Sequence, residues 1–285
     1  MYNWTGWFGS SGFRWMLTAV CLVEMAGRVH ADEKPATSQP HPAVKQIISD
    51  YYKASGGRAA REKMHDRITK GTMTIITKNG RGGRGPFTRY DRRPDNLYFI
   101  WEPKGGGVFD NGTNGTVAWE ITPTGGPRIM EGLEQASMTR HSTFNFELHW
   151  ADLYPKITFG GIEQFENKSC YKLVMTPKKG KPEARYFDKE TKLLIGERLT
   201  LSTGDREYET VVVYDKYHTV DGVLMPHRIT QRFKTHGQLV EIDSIRHNAD
   251  IPDSRFELPA VIRVLQSEKR AKPPEKKELS DKQTP

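Results

Sequence analysis

From Ile68 onward the chain is written in short runs of alternating or β-branched residues, each closed by residues that favour a turn. A period of two puts successive side chains on opposite faces of an extended strand, and no helix can satisfy it. The runs predict strands at 68–77, 86–91, 95–102, 107–110, 115–121 and 127–130, then at 156–166, 169–176, 183–188, 192–203, 206–217, 222–235 and 238–248. Between them, Lys78-Asn79-Gly80, Arg93-Pro94-Asp95 and Asp110-Asn111-Gly112 supply positive-φ or turn-starting residues. The stretches from Tyr186 to Leu193 and from Val212 through Asp221-Gly222 to Ile229 each read as strand, tight turn, strand. So many hairpin-connected strands predict a mainly β protein with a few helices, an antiparallel meander wide enough to curl.

Helical spacing precedes this pattern once and interrupts it once. Val44, Ile47, Ile48, Tyr51 and Tyr52 fall on one helix face that Gly56-Gly57 ends, and a shorter helix is expected from Arg58 to about Asp66. Leu133, Ser137, Arg140, Phe144 and Leu148 align on a second helix over 133–153, beside Phe146, Trp150 and Leu153. Such an aromatic helix is suited to lie across the concave side of a curled sheet.

The N-terminal run Trp15–Val23 (WMLTAVCLV) follows Arg14 and precedes Val29-His30-Ala31, so residues 1–31 read as a signal peptide cleaved after Ala31. Export to a periplasm is the expected localisation. Cys21 is preceded by the bulky Val20, so lipid anchoring through it is not expected. Residues 32–42 are a Pro-rich linker, 43–262 the half-barrel domain, and 263–285 a Lys-rich tail too poor in apolar residues to pack. After cleavage no second apolar run is long enough to span a membrane. Cys170 is then the single remaining cysteine, which excludes an intrachain disulfide and suits a small core residue.

The charge of +8 comes from basic residues mixed with nearly as many acids. Only Arg81, Arg84, Arg89, Arg92 and Arg93 cluster, in a Gly-rich hairpin, without any motif that reads nucleic acid. The segment Gly80–Gly85 joins strands instead of opening a helix, so it lacks the N-terminal dipole that binds phosphate. His218, His227, His236 and His247 recur at similar intervals, as expected of equivalent places in successive strands, and His141 and His149 lie two helical turns apart. Neither arrangement has metal-ligand spacing, and no nucleophile elbow or Walker loop is present. Asp188, Glu190, Asp215 and Asp221 fall at turns, where carboxylates stay wet. The expectation is a protein with no catalytic residue, metal or cofactor.

Five segments resemble the bacterial outer-membrane lipoprotein-sorting proteins, the LolA/LolB-like superfamily. They are YYKASGGRAAREKMHDRITKGTMTI (Tyr51–Ile75), GTVAWEITPTGGPRIMEG (Gly115–Gly132), YFDKETKLLIGERLTL (Tyr186–Leu201), VVVYDKYHTVDGVLMPHRI (Val211–Ile229) and IPDSRFELP (Ile251–Pro259). Their order and spacing cover roughly residues 44–260. The resemblance is to the broad branch of that superfamily. It implies an incomplete barrel lidded by helices around an apolar cavity that receives lipoprotein acyl chains or another lipid. Implied partners are an inner-membrane transporter that loads the carrier and an outer-membrane acceptor. This chain departs from the family in its length, its basic tail, and the absence of a recognisable lid-closing motif.

Strand parity supplies cavity candidates. Leu97, Phe99 and Trp101 share one face, as do Val117, Trp119 and Ile121, and Tyr171, Leu173 and Met175, while Phe144 and Leu148 are the lid contribution. A one-residue slip in register would turn any of these faces outward. Two other readings stand beside the carrier: an envelope interaction module with a filled core, and an envelope hydrolase, which strongly coupled polar residues converging inside the barrel would favour and a purely apolar interior would exclude.

Overall fold

The computed structural model describes residues 42–204 and 206–271. The expected signal peptide, nearly all of the linker, and the tail beyond residue 271 lie outside these. The alternating runs form thirteen antiparallel strands in one sheet. They are β1 (Asp66–Thr77), β2 (Gly80–Arg92), β3 (Asn96–Trp101), β4 (Phe109–Asn114), β5 (Ala118–Thr122), β6 (Gly126–Ile129), β7 (Lys156–Phe165), β8 (Lys168–Thr176), β9 (Glu183–Asp188), β10 (Leu194–Thr203), β11 (Arg206–Val220), β12 (Val223–Arg232) and β13 (His236–His247).

Spatial order follows chain order within two meanders, β6 to β1 and β13 to β7, which are stitched together where β1 pairs with β13. That seam starts at Arg67 opposite His247 and shifts register between Lys70 and Gly71. Gly71 is required there, because a Cβ would stand 2.1 Å from the Glu241 carbonyl oxygen. The outer strands β6 and β7 do not pair, so the barrel stays open. The sheet nevertheless curls strongly. Arg89 on β2 feels the Tyr214 hydroxyl on β11, although β1, β13 and β12 lie between their strands.

Several strand boundaries differ from the sequence reading: β2 begins at Gly80 instead of 86, so the Gly-rich segment read as a connection is itself strand. Asp110-Asn111-Gly112, read as a turn, lies inside β4. Gly112 is there for close approach: a Cβ would stand 2.5 Å from the Leu97 carbonyl oxygen and 3.1 Å from the Trp119 ring. The strands expected at 107–110 and 115–121 are therefore 109–114 and 118–122.

Helix α1 (Pro42–Ala54) buries Val44, Ile47 and Tyr51, and Gly56 and Gly57 end it with φ of 99° and 85°. A single turn, α2 (Arg58–Glu62), follows, and Asp66 already belongs to β1. The helix expected over 133–153 is broken into α3 (Gly132–Ser142), a 3-10 turn (Phe146–His149) and α4 (Trp150–Leu153). The break has identifiable causes. Asn145 adopts φ 48°, its amide donates to the Arg61 carbonyl at 2.7 Å, and the Phe144 N–H donates to the Pro94 carbonyl at 2.9 Å. Helix α5 (Ala260–Ala271) runs into the segment read as a tail from 263, because Ile262 is fully buried and packs with Leu258 and Leu265 against Trp119.

A concave face divided between packing and access

Directly paired residues in an antiparallel sheet point to the same side, so the registers assign every side chain to a face. Phe99 pairs with Arg89 on one side and Asn111 on the other, and Asn111 pairs with Glu120. Arg128 continues the row opposite Glu120 and reaches Glu134 of α3. This is the concave face, across which α3 and α4 connect the two open edges. In the alternate row Tyr98, Gly112, Trp119 and Ile129 follow one another on the convex face, which α5 covers.

The sequence-derived candidates separate accordingly. Phe99 and Trp101 lie on the concave face of the first meander, in a cluster with Met73, Ile75 and Phe87. Phe87 and Phe99 stack with ring centroids 5.7 Å apart, and Trp101 meets Phe109 at 5.0 Å. Phe99, Phe109, Val240 and Ile242 are only half-buried there, so part of this apolar strip remains accessible. Tyr171, Leu173 and Met175 lie on the concave face of the second meander. That half is filled by the chain itself: Val44, Ile47 and Tyr51 of α1, with Trp150, cover Leu173, Met175, Phe187 and Leu194. Tyr51 stacks on Trp150 at 5.5 Å.

Trp119 and Ile121 are on the convex face, packed against α5. Their row is thus turned away from Phe99 and Trp101, with which the sequence reading grouped them. Phe144 packs with Met64 and Val223 at one end of the barrel, its ring 5.5 Å from the Arg67 guanidinium. Leu148 and Phe144 both line an open groove of about 870 Å³ beside α3, with Arg58, Pro94, Thr139 and Lys179.

Parity arguments restricted to apolar residues missed the charges that share the concave face. Glu183, Arg185 and Phe187 alternate on β9, and Arg185 pairs with Glu197 on β10. Arg185 is fully buried, its Nη2 3.2 Å from Glu183 and 3.0 Å from the Tyr154 hydroxyl, its Nε 3.4 Å from Glu197. Tyr214 donates to Glu197 at 3.0 Å. Burial works against the Arg185 cation, but Glu197, Tyr154 and Glu183 hold its pKa above the ordinary arginine value. Burial likewise pushes the Glu183 carboxyl up, yet His141, Arg185 and Arg140 together hold it well below the usual carboxylate range. The Tyr154 hydroxyl is raised, mainly by burial. A signal was available: an acid and a base two residues apart on a strand share a face.

The same charges fasten α3. Near its start Glu134 accepts from Arg128 Nη1 at 2.7 Å and from the Gly204 N–H at 3.3 Å. At its other end Arg140 donates to Glu183 at 2.6 Å, and His141 Nε2 lies 3.6 Å from the same carboxylate. The helix is thus held to β6 by one ion pair and to β9 by another.

The remaining candidates resolve into ordinary packing. Cys170 is buried with Phe165, Tyr186 and Ile195, and burial pushes its thiol up to about 11. His218 and His227 meet at 4.5 Å on adjacent strands, His236 stacks on Phe233, and His247 Nδ1 lies 2.8 Å from Asp221. Among the described residues no group of three His, Cys, Asp or Glu side chains is placed to hold a metal ion, and no helix is long and apolar enough to cross a membrane.

No family model matches the chain, and no curated protein matches it. Solved structures do. A DUF1329 family protein from Desulfovibrio piger superposes with a TM-score of 0.54 at 14% identity, over 75% of this chain and 97% of that one. A LolA superfamily protein from Nitrosomonas europaea gives 0.53 at 11% identity, over 75% and 97%. A domain described as outer membrane lipoprotein-sorting, from Vibrio parahaemolyticus, gives 0.52 at 11% identity, over 78% and 99%. At such identities the likeness is one of fold: a half-open antiparallel barrel with helices, of the LolA-like kind.

Proposed function

We propose, from the premise that this chain has the LolA-like fold, that it is a carrier or binding protein for lipoprotein acyl chains or another lipid in the bacterial periplasm. The observation that carries this reading is the accessible apolar strip of Phe99, Phe109, Val240 and Ile242 on the concave face, beside a helix held at both ends by ion pairs. Each methylene of an acyl chain buried there would contribute about 0.8 kcal/mol. The ion pairs give α3 a fastened state, and breaking them would free it to move from the opening between β6 and β7. The coarser reading, lipid binding by this fold, also draws on the sorting domain whose structure it resembles. An inner-membrane transporter that loads the protein and an outer-membrane acceptor that unloads it are the partners such a carrier needs.

The filled second meander limits how much ligand the face accepts, so binding is expected along β1–β4, β12 and β13. Filled packing under α1 is also what an interaction module would show, and the test must separate the two. The interior does gather the coupled polar residues that a hydrolase would need, but their protonation states favour binding. Glu183 is held as an anion and Arg185 as a cation, so neither exchanges protons near neutral pH as a general acid or base must. The test is lipid mass spectrometry of the exported protein purified natively. Near-stoichiometric lipid that is lost in Phe99→Ser is the expected result. No co-purifying lipid, and no uptake of a fluorescent fatty acid, would leave the interaction module as the better reading.

A further inference from the structure

The charges on the concave face are unevenly placed, with one guanidinium to two carboxylates around Arg128 and two guanidinia to one carboxylate around Asp91. Arg128 is matched by Glu120 and Glu134, and Arg185 and Arg140 by Glu183 and Glu197. On β1 and β2 the ratio is reversed: Arg67 and Arg89 share the single carboxylate of Asp91. Asp91 is spent on them. Arg89 Nε lies 2.9 and 3.0 Å from its two oxygens and Nη2 2.7 Å from one, while Arg67 Nη2 stands off at 3.4 Å. Among the described residues no other carboxylate acts on Arg89.

The exposure of the three groups is uneven. The Asp91 side chain is 2% exposed and that of Arg67 17%, whereas that of Arg89 is 36% exposed. Arg89 is directly opposite Phe99, whose ring stacks on Phe87, so the cation borders the accessible apolar strip. A net positive charge beside an apolar surface is costly and is relieved by an anion that brings its own apolar body.

We propose that the ligand of this face is an anionic amphiphile, with a single carboxylate or phosphate headgroup held by Arg89 and its alkyl chain along Phe99, Phe109, Val240 and Ile242. This rests on the carrier reading and adds the headgroup chemistry to it. Arg67 completes the positive site from β1, its guanidinium braced over the Phe144 ring.

Equilibrium dialysis of the purified protein with radiolabelled hexadecanoate, hexadecyl phosphate and hexadecanol tests it. All three share one chain, and only the headgroup differs. At least one of the anions is expected to bind about tenfold or more tighter than hexadecanol, the factor a charge-assisted hydrogen bond supplies. Which anion is preferred separates a fatty acid from a phospholipid-type headgroup. Arg89→Gln should bring the anions to the hexadecanol level and leave hexadecanol unchanged, while Arg89→Lys should keep the preference. Unchanged hexadecanol affinity also shows that the glutamine variant is folded. Equal affinities in the native protein, or a preference that survives in Arg89→Gln, overturn the proposal and leave the carrier reading standing. If none of the three is retained, the carrier reading falls and the proposal with it.

Discussion

Glu183→Gln is the substitution whose consequences the structure specifies most fully. The carboxylate is 2% exposed and serves four groups: Arg140 at 2.6 Å, Arg185 at 3.2 Å, the Tyr154 hydroxyl, and His141 at 3.6 Å. Glutamine keeps the volume but removes the charge, leaving Arg140, 10% exposed, without a counter-ion and Arg185 with Glu197 alone. Removing one partner of a buried pair costs about 3–5 kcal/mol, because the stranded cation remains desolvated. For a domain of this size each kcal/mol lowers Tm by about 2–4 °C, so a fall of roughly 6–20 °C is expected at pH 7. Glu163→Gln is the control: its partner Lys172 is 24% exposed and Glu163 40%, and the change should stay within about 1 kcal/mol.

The pH dependence has a definite sign. Because the Glu183 carboxyl is depressed in the folded state, its contribution is complete above the unfolded value of about 4.3 and is lost as pH falls below that. Circular-dichroism melts from pH 7 to pH 3 should therefore show the native protein and the variant converging in acid. A Tm difference under about 2 °C at pH 7, or one that does not shrink below pH 4, would refute the view that buried charge pairing fastens α3 to β9.

Other outcomes follow from the same geometry. Arg128→Gln releases the first turn of α3 from β6; the guanidinium is 30% exposed, so the loss is about 1–2 kcal/mol, and stopped-flow uptake of a fluorescent fatty acid should be faster than in the native protein. Slower or unchanged uptake would mean that α3 does not gate the concave face. Gly196→Ala should destabilise by about 2 kcal/mol or more in urea titration, since the new methyl would stand 2.3 Å from the Phe165 ring and 2.4 Å from the Val212 carbonyl oxygen. Cys170, fully buried with its thiol pushed up to about 11, should react with a thiol reagent only as fast as the protein opens, and labelling at the rate of a free thiol would contradict its place in the core.

Much of this architecture was legible because it is local. Period-two alternation between turn residues located thirteen strands, and the sheet contains thirteen, mostly with boundaries displaced by a few residues. Val44, Ile47 and Tyr51 announced α1, and Gly56-Gly57 its end. Errors arose where a residue's role was set by something distant in the chain. Gly112 reads as a turn, but it is a strand residue beneath Trp119. The helix expected over 133–153 is cut at Asn145 by bonds to Arg61 and Pro94, and α5 forms where Ile262 meets the back of β5 and β6.

Parity shows which residues share a face, but not which face is concave, because alternation is symmetric about the strand. Only the curl of the sheet broke that symmetry. It turned Phe99, Trp101, Tyr171, Leu173 and Met175 inward and left Trp119 and Ile121 under α5. The same curl brought Arg67, Arg89 and Asp91 beside the apolar strip and gathered Glu183, Arg185 and Glu197 beneath the helices. The sequence by itself determined the strands, their order and the LolA-like fold class. Tertiary structure decided which charges face inward and which are left unbalanced, since electrostatic pairing depends on distances across the barrel that no local pattern encodes.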